Sequence, residues 1–163
     1  MNMNSILGER AWIMPLMVPQ NMKTAAHTSR IIDMGEYFQV SIVVITGKGT
    51  AGEDITVSMS QVDDQTNVKD LRVKTVFFAQ SGDWNTRLGG YRRENNWNNE
   101  DITDTTSAEQ DTIWVWSVNA ADMDTENNYT KIRISVSQTT NDQLGCVLGV
   151  FEPARSSPVK GIV

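Results

Sequence analysis

The sequence has little of what most catalytic and metal sites need. It contains one histidine, His27, and one cysteine, Cys146, in 163 residues. A single cysteine excludes a disulfide within the chain, and so few cysteine and histidine side chains leave a zinc site short of its usual ligands. A Cys–His nucleophile pair would need these two residues to meet. We interpret them instead as a core thiol and a surface imidazole.

Long apolar runs are also missing. No segment approaches the roughly 20 apolar residues of a membrane-spanning helix, so we expect no membrane partner. The apolar stretch Ala11–Val18 is short and contains Pro15, which makes it a poor signal peptide. The sequence also has no glycine-rich phosphate loop or dinucleotide-binding motif. We therefore expect no cofactor and no enzymatic activity.

Positive charge is in deficit. The chain carries 14 lysine and arginine residues against 20 aspartate and glutamate residues, a formal net charge of −6. Because a negative chain repels phosphate backbones, we expect no nucleic-acid partner.

The segment from Asp122 to Asn128 alternates oxygen-bearing side chains, which hard cations prefer. The glycine and glutamate that an EF-hand loop needs at its sixth and twelfth positions are replaced by Asn127 and Arg133. We interpret the segment as a solvated turn and expect no metal site, with cation binding as the alternative.

Strand-like patterns are abundant. Tyr37–Thr46 is a long β-branched run that stops at Gly47, and Asp54–Gln61 alternates between apolar and polar residues. Further strands are predicted at Val68–Gln80, Arg87–Arg92, Thr112–Val118, Thr130–Gln138 and Gln143–Glu152. Thr112–Val118 is apolar on both faces, which predicts a strand covered on both sides. With no long helix, the pattern predicts an all-β fold, an antiparallel β-sandwich or β-barrel of about 6–8 strands.

The chain divides into three predicted parts. Residues 1–30 form an extended N-terminal arm, residues 31–155 form a single β domain with a long polar loop at 81–111, and residues 156–163 form a loose C-terminal tail. We expect the arm to be ordered against a partner or against its own domain, because its apolar side chains would be costly to leave in water.

The arm and the long loop hold the candidate partner-binding residues. Methionine adapts to irregular apolar surfaces, and tryptophan, tyrosine and arginine are enriched at interface hot spots. The candidates are Trp12, Ile13, Met14, Leu16, Met17, Trp84, Tyr91, Arg92, Arg93 and Trp97. The aromatic residues of the loop are also suited to stacking on sugar rings, so a carbohydrate-binding β-sandwich module for host attachment is an alternative.

Several short motifs resemble those of one protein family. The turn Ile32–Tyr37 leads into the apolar strand Val40–Ile45, and Ile55–Gln61 leads to the polar turn at Asp63 and Asp64. Ala120–Asp124, Tyr129–Ile134 and Leu148–Arg155 look like the later half of the same pattern. Together these motifs cover most of residues 31–155 and resemble the capsid auxiliary proteins of tailed bacteriophages, also called decoration or cement proteins.

The resemblance implies a virion structural protein, made in the host cytoplasm and bound to the capsid exterior. Its partners would be the major capsid protein and further copies of itself, as a trimer or dimer. Such a protein stabilises the shell by bridging capsomers. Within the virion, a head–tail connector or tail structural protein is the alternative.

Overall fold

The computed structural model describes residues 11–71, 76–83, 87–90, 92–95, 101–103 and 109–153. These ranges contain thirteen strands. The longer ones are β1 (Trp12–Asn21), β4 (Tyr37–Thr46), β5 (Thr56–Val62), β7 (Val76–Asp83), β11 (Asp111–Asn119), β12 (Lys131–Val136) and β13 (Leu144–Pro153). The shorter ones are β2 (His27–Thr28), β3 (Ile32–Asp33), β6 (Val68–Asp70), β8 (Arg87–Leu88), β9 (Arg92–Asn95) and β10 (Asp101–Thr103). Short 3₁₀ turns lie at Met34–Glu36, Ala120–Asp122 and Thr125–Asn127.

The strands form two antiparallel sheets. The seven-stranded sheet has the order β1-β13-β4-β11-β7-β8, with β9 also paired to β7. The six-stranded sheet has the order β10-β5-β12-β2, with β6 paired to β5 and β3 paired to β12. The two sheets enclose one hydrophobic core. The all-β prediction is therefore confirmed, and of the two predicted architectures, sandwich and barrel, the sandwich is correct. Within the described residues, no helix is long and apolar enough to cross a membrane.

The alternation of apolar and polar residues along the chain explains the bounds and the burial of the central strands. The predicted strand Tyr37–Thr46 has the same bounds as β4, and its residues Val40, Ile42 and Val44 are buried in the core. β5 and β12 are similar in sequence and are also hydrogen-bonded neighbours, with Met59 opposite Ile134. Both strands bury one side against the seven-stranded sheet, so a shared environment accounts for their similarity.

The predicted strand Val68–Gln80 is wrong as a single element. β6 pairs with β5 in one sheet, whereas β7 pairs with β11 in the other. The chain therefore changes sheets after Leu71, whose side chain is buried. Apolar alternation reports which residues are buried but not which sheet a strand joins. Similarly, the short strand predicted at Arg87–Arg92 is replaced by β8 and β9.

The part of the predicted arm from residue 11 to residue 30 is built into both sheets. β1 pairs with β13 at the edge of the seven-stranded sheet, and β2 pairs with β12 in the six-stranded sheet. The backbone amide of Arg30 donates to the carbonyl of Leu16 at 3.1 Å, which ties the segment to itself between the two sheets. Pro15 and Pro19 are placed on an edge strand with an irregular register, where the missing amide donors are tolerated.

Small residues let the edge strand approach the core. A Cβ atom built on Gly149 would lie 2.5 Å from Cε2 of Phe151 and 3.1 Å from Cδ1 of Leu16. The Phe151 ring cannot move away easily, because it is buried and contacts the ring of Tyr37 with a centroid distance of 4.7 Å. Glycine therefore occupies this core-facing position of β13, because a larger residue would not fit.

Replacing Gly149 with alanine is expected to lower the free energy of unfolding by about 1–3 kcal/mol, because the added methyl group overpacks the core. Gly90→Ala is the control, since a Cβ atom there meets nothing within 4 Å. Urea unfolding followed by tryptophan fluorescence measures both variants. Equal midpoints for the two variants would contradict the close packing at Gly149.

Candidate functional site

An apolar surface lies on the outward side of the seven-stranded sheet, and we call it the outer face. The pairing of β13, β4 and β11 places its residues in rows across the sheet. One row runs Leu148, Val43, Val115, and the next runs Cys146, Ile45, Ile113. The apolar members are Val43, Ile45, Ile113, Val115, Cys146, Leu148 and Val150, all of them partly exposed. At the margin, Ile13 of β1 lies opposite Val150 and Leu144 begins β13, both well exposed.

The outer face is uncharged at its centre. Between the strand ends, the outward positions of β4, β11 and β13, all of which the structure describes, carry no charged side chain. Ser41 and Ser117 are the polar residues of the row that includes Val150. Their hydroxyl oxygens lie 2.8 Å apart and hydrogen-bond each other. A protein that covers this surface therefore leaves few unpaired polar groups, and its desolvation cost is low.

β11 is covered fully on one side only. Trp114, Trp116 and Val118 are buried against the six-stranded sheet, whereas Ile113 and Val115 stay partly exposed on the outer face. Burial on both sides, as expected for Thr112–Val118, is therefore not what the described residues show. Alternation cannot reveal this difference, because both sides of the strand are apolar.

Cys146 and His27 belong to different sheets. Cys146 is half-buried on the outer face, so its interpretation as a core thiol is corrected. This burial raises the pKa of the Cys146 thiol above its ordinary value, which favours the protonated form at neutral pH. His27 is half-buried in β2 of the six-stranded sheet, where its Nε2 lies 3.1 Å from the carbonyl oxygen of Asn21.

A second apolar surface is a groove where β1 and β3 meet the 3₁₀ turn Met34–Glu36. We call it the seam groove, and its volume is about 130 Å³. Its lining consists of Met14, Leu16, Arg30, Ile31, Ile32, Asp33, Glu36, Tyr37 and Phe151. Leu16, Ile32 and Phe151 are buried and form the apolar floor, while Ile31 remains 47% exposed.

The rim of the seam groove is polar. Arg30 supplies a positive charge and Asp33 and Glu36 supply negative charges. Burial, together with the charges of Glu36 and Asp33, raises the pKa of Tyr37, so its phenol is neutral and able to donate a hydrogen bond. The groove therefore combines an apolar floor with a rim that can orient a polar backbone.

The structure separates the predicted partner-binding residues of the arm. Ile13 is 54% exposed beside the outer face, and Met14 lines the seam groove. Trp12 is partly buried against the core. Leu16 and Met17 are each only 5% exposed and belong to the core, although Leu16 also forms part of the floor of the seam groove. Their burial follows from the pairing of β1 with β13, which places them under the sheet edge.

Of the predicted partner-binding residues in the long loop, only Arg92 and Arg93 lie within the described residues. Trp84, Tyr91 and Trp97 lie outside the described residues. Arg92 and Arg93 are paired through their backbone with β7, opposite Ala79 and Phe78. The sequence prediction missed the outer face and the groove residues Ile31 and Tyr37. The available signal for the outer face was the persistence of apolar residues at both alternating positions of β4 and β11.

Two carboxylates of the Asp122–Asn128 segment, those of Asp122 and Asp124, form hydrogen bonds within the protein. Asp122 accepts a hydrogen bond from the backbone amide of Asn119 at 3.0 Å. Asp124 pairs with Lys69 and accepts from Asn127, and its pKa is lowered chiefly by the bond from Lys69. In the described ranges, no three histidine, cysteine or carboxylate side chains gather as metal ligands.

Comparisons with known proteins give only remote similarities. No protein-family model matches the chain, and no curated protein matches it. The SPBc2 prophage-derived protein YomS has a TM-score of 0.43 and 11% identity, with 86% of this chain and 92% of that chain covered. The infectious bursal disease virus Gx strain structure has a TM-score of 0.34 and 10% identity, with 91% and 33% covered. The VP2 subviral particle of the same virus has a TM-score of 0.27 and 9% identity, with 94% and 44% covered.

Identities and TM-scores this low establish neither a shared family nor a shared function. The observations that bear on function are the two-sheet antiparallel sandwich and its two apolar surfaces.

Proposed function

We propose that the chain is a structural protein of a tailed-bacteriophage virion, which binds the outer surface of the capsid and stabilises the shell by bridging capsomers. The outer face carries this proposal. The largest contiguous apolar patch on a typical monomer covers roughly 300–600 Å² and often serves in binding, and the outer face is an apolar patch of this order. The sequence motifs that resemble capsid auxiliary proteins indicate which kind of assembly the protein joins.

Bridging requires at least two contact surfaces on one subunit or one oligomer. The outer face and the seam groove meet this requirement, because they lie on opposite sides of β1. Ile13 borders the outer face, whereas Met14 and Leu16 line the groove. A protein that contacts two neighbours must lose one contact before the neighbours separate.

Shell stabilisation then follows from linkage. A protein that binds only the assembled state stabilises that state in proportion to how far its concentration exceeds its Kd, by about 2.7 kcal/mol per site at a hundredfold excess. No chemical step is needed for this function. Many sites on one shell would add their contributions.

The seam groove is the proposed contact with the major capsid protein. Its volume of about 130 Å³ leaves room for a single apolar side chain, and its charged rim can orient the partner's backbone. The apolar floor contributes binding energy in proportion to the apolar area it removes from water.

Replacing Ile31 with aspartate is expected to weaken capsid binding tenfold or more, because a charge at the groove must be desolvated when an apolar side chain enters. Val68→Asp is the matched control, since Val68 is 46% exposed and lies on β6, away from the groove. Co-sedimentation with capsids that lack the protein measures both affinities.

Equal weakening by the two variants would contradict the groove as the contact. A wild-type protein that does not co-sediment with capsids would overturn the proposed function. Electron cryo-microscopy of whole virions locates the protein, and density on the tail or at the head–tail junction would favour the connector or tail alternative.

A further inference from the structure

We propose that a second copy of this chain covers the outer face, so that the protein is a two-fold symmetric dimer packed through its seven-stranded sheets. The inference names the partner for one of the two surfaces, and it rests on the proposed function only in taking the outer face as a protein contact. In such a dimer the two seam grooves remain free. A dimer with two free grooves can contact two capsomers at once.

Self-complementarity is the first argument for a second copy. A two-fold interface places the same patch against itself, so the patch must fit its own chemistry. A patch rich in charges of one sign would repel its copy, but the centre of the outer face has no charge. The two serine hydroxyls on the face hydrogen-bond each other, so covering them leaves one hydroxyl hydrogen, not two, in need of an acceptor.

The surroundings of the face also match an interface. Protein contacts have an apolar core and a polar rim. Gln39 lies opposite Glu152 and Asn119 at one end of the apolar rows. Asp111 begins β11 at the other end and accepts a hydrogen bond from the backbone amide of Lys48 at 2.9 Å. The polar groups therefore border the apolar rows instead of interrupting them.

The size of the face sets the expected strength. Four strands spaced by about 4.8 Å and about seven residues with a rise of about 3.3 Å span on the order of 400 Å² per copy. A standard interface buries about 800 Å² per partner. The contact is therefore small, and we expect a Kd on the order of micromolar instead of nanomolar.

Charge predicts the direction of the salt effect. Each copy carries a formal net charge of −6, so two copies repel each other at long range and salt screens this repulsion. Because the contact itself is apolar, the dimer should strengthen as salt rises. A partner held by opposite charges would respond in the other direction.

Sedimentation velocity of the full chain, from about 1 to about 100 µM and at low and high salt, measures the association. We expect the wild type to shift from monomer to dimer over this range, and to shift at lower concentration in high salt. The variant Val43→Thr keeps the β-branched shape but adds one hydroxyl group per copy, opposite the apolar side chains of Val115 and Leu148. It should dimerise at least tenfold more weakly, because these hydroxyls lose water without gaining partners.

Val43→Lys should abolish the dimer, since it places a charge at the centre of the face. Ser135→Lys is the matched control, because Ser135 is a partly exposed residue on β12 of the other sheet. It should leave the dimer unchanged. If Val43→Lys does not fold, as judged by circular dichroism, the threonine variant decides the question.

A protein that stays monomeric at every concentration and salt level overturns the inference, as does a dimer that Ser135→Lys weakens as much as the threonine variant does. The measurement needs no capsids, so its failure is distinct from failure of the proposed function. A dimer without capsid binding would refute the function alone. A monomer that binds capsids would refute the dimer alone.

Discussion

Replacing Leu16 with alanine is expected to lower the free energy of unfolding by about 2–5 kcal/mol. Leu16 lies on the edge strand β1 but is only 5% exposed, because β1 pairs with β13 and turns this side chain into the core. Its Cδ1 atom shares the space above Gly149 with the ring of Phe151, because Gly149 has no side chain of its own. Truncation therefore leaves a cavity that the neighbouring glycine cannot fill.

The matched control is Ile13→Ala on the same strand. Ile13 is 54% exposed, so its truncation should change the free energy of unfolding by no more than about 0.5 kcal/mol. Urea unfolding measures both variants. Similar losses for the two would contradict the orientation of β1 in the sandwich.

This contrast affects how the N-terminal segment can be tested. Deleting residues 1–20 removes Leu16, Met17 and most of the edge strand together. We expect that deletion to destabilise the fold by a large part of the roughly 5–15 kcal/mol that holds a typical domain together. A loss of capsid binding after deletion would therefore report unfolding, and point substitutions are the sharper experiment.

Replacing Trp116 with alanine is expected to lower the free energy of unfolding by about 3–5 kcal/mol. Trp116 lies in the middle of β11 and is 1% exposed. Its indole Nε1 lies 2.6 Å from Sδ of Met59, so the side chain joins the two sheets directly. Trp12→Ala is the control, because Trp12 is only partly buried at the edge of the core, and it should cost less. Equal costs would show that the core is not centred on β11.

Phenylalanine substitutions distinguish the contribution of side-chain volume to stability from that of the indole hydrogen bond. Trp114 lies two residues from Trp116 on the same side of β11, but its indole nitrogen has no hydrogen-bond partner in the part of the chain that the structure describes. Trp114→Phe loses volume only, whereas Trp116→Phe also loses the contact with the sulfur of Met59. We expect Trp116→Phe to lower the free energy of unfolding more than Trp114→Phe does. The reverse order in urea unfolding would contradict a stabilising role for the contact between Trp116 and Met59.

The sequence predicted the long central strands well because their signal is local. β4 has the predicted bounds, and β12 lies within the predicted strand Thr130–Gln138 with Ile132, Ile134 and Val136 buried. β2, with two residues, is too short to show any alternation. The sequence also did not reveal that the predicted strand Val68–Gln80 contributes to both sheets. The sheet that a strand joins depends on partners that are distant in the sequence.

The candidate surfaces were predicted only in part. Ile13 and Met14 were identified as partner-binding candidates, and both border an apolar surface of the folded protein. Met17 was identified on the same grounds but lies in the core. These neighbours have similar apolar side chains, and only the pairing of β1 with β13 assigns each to one side.

The sequence by itself determined that the chain forms antiparallel strands, since β-branched alternation and glycine-bounded turns specify this from neighbouring residues alone. Tertiary structure decided which side of those strands is covered. In β4 and β11 both sides are apolar, and the six-stranded sheet covers only the side of Val44 and Trp116. Val43 and Val115 remain on the outer face because packing, which acts between segments far apart in sequence, supplied a cover for one side only.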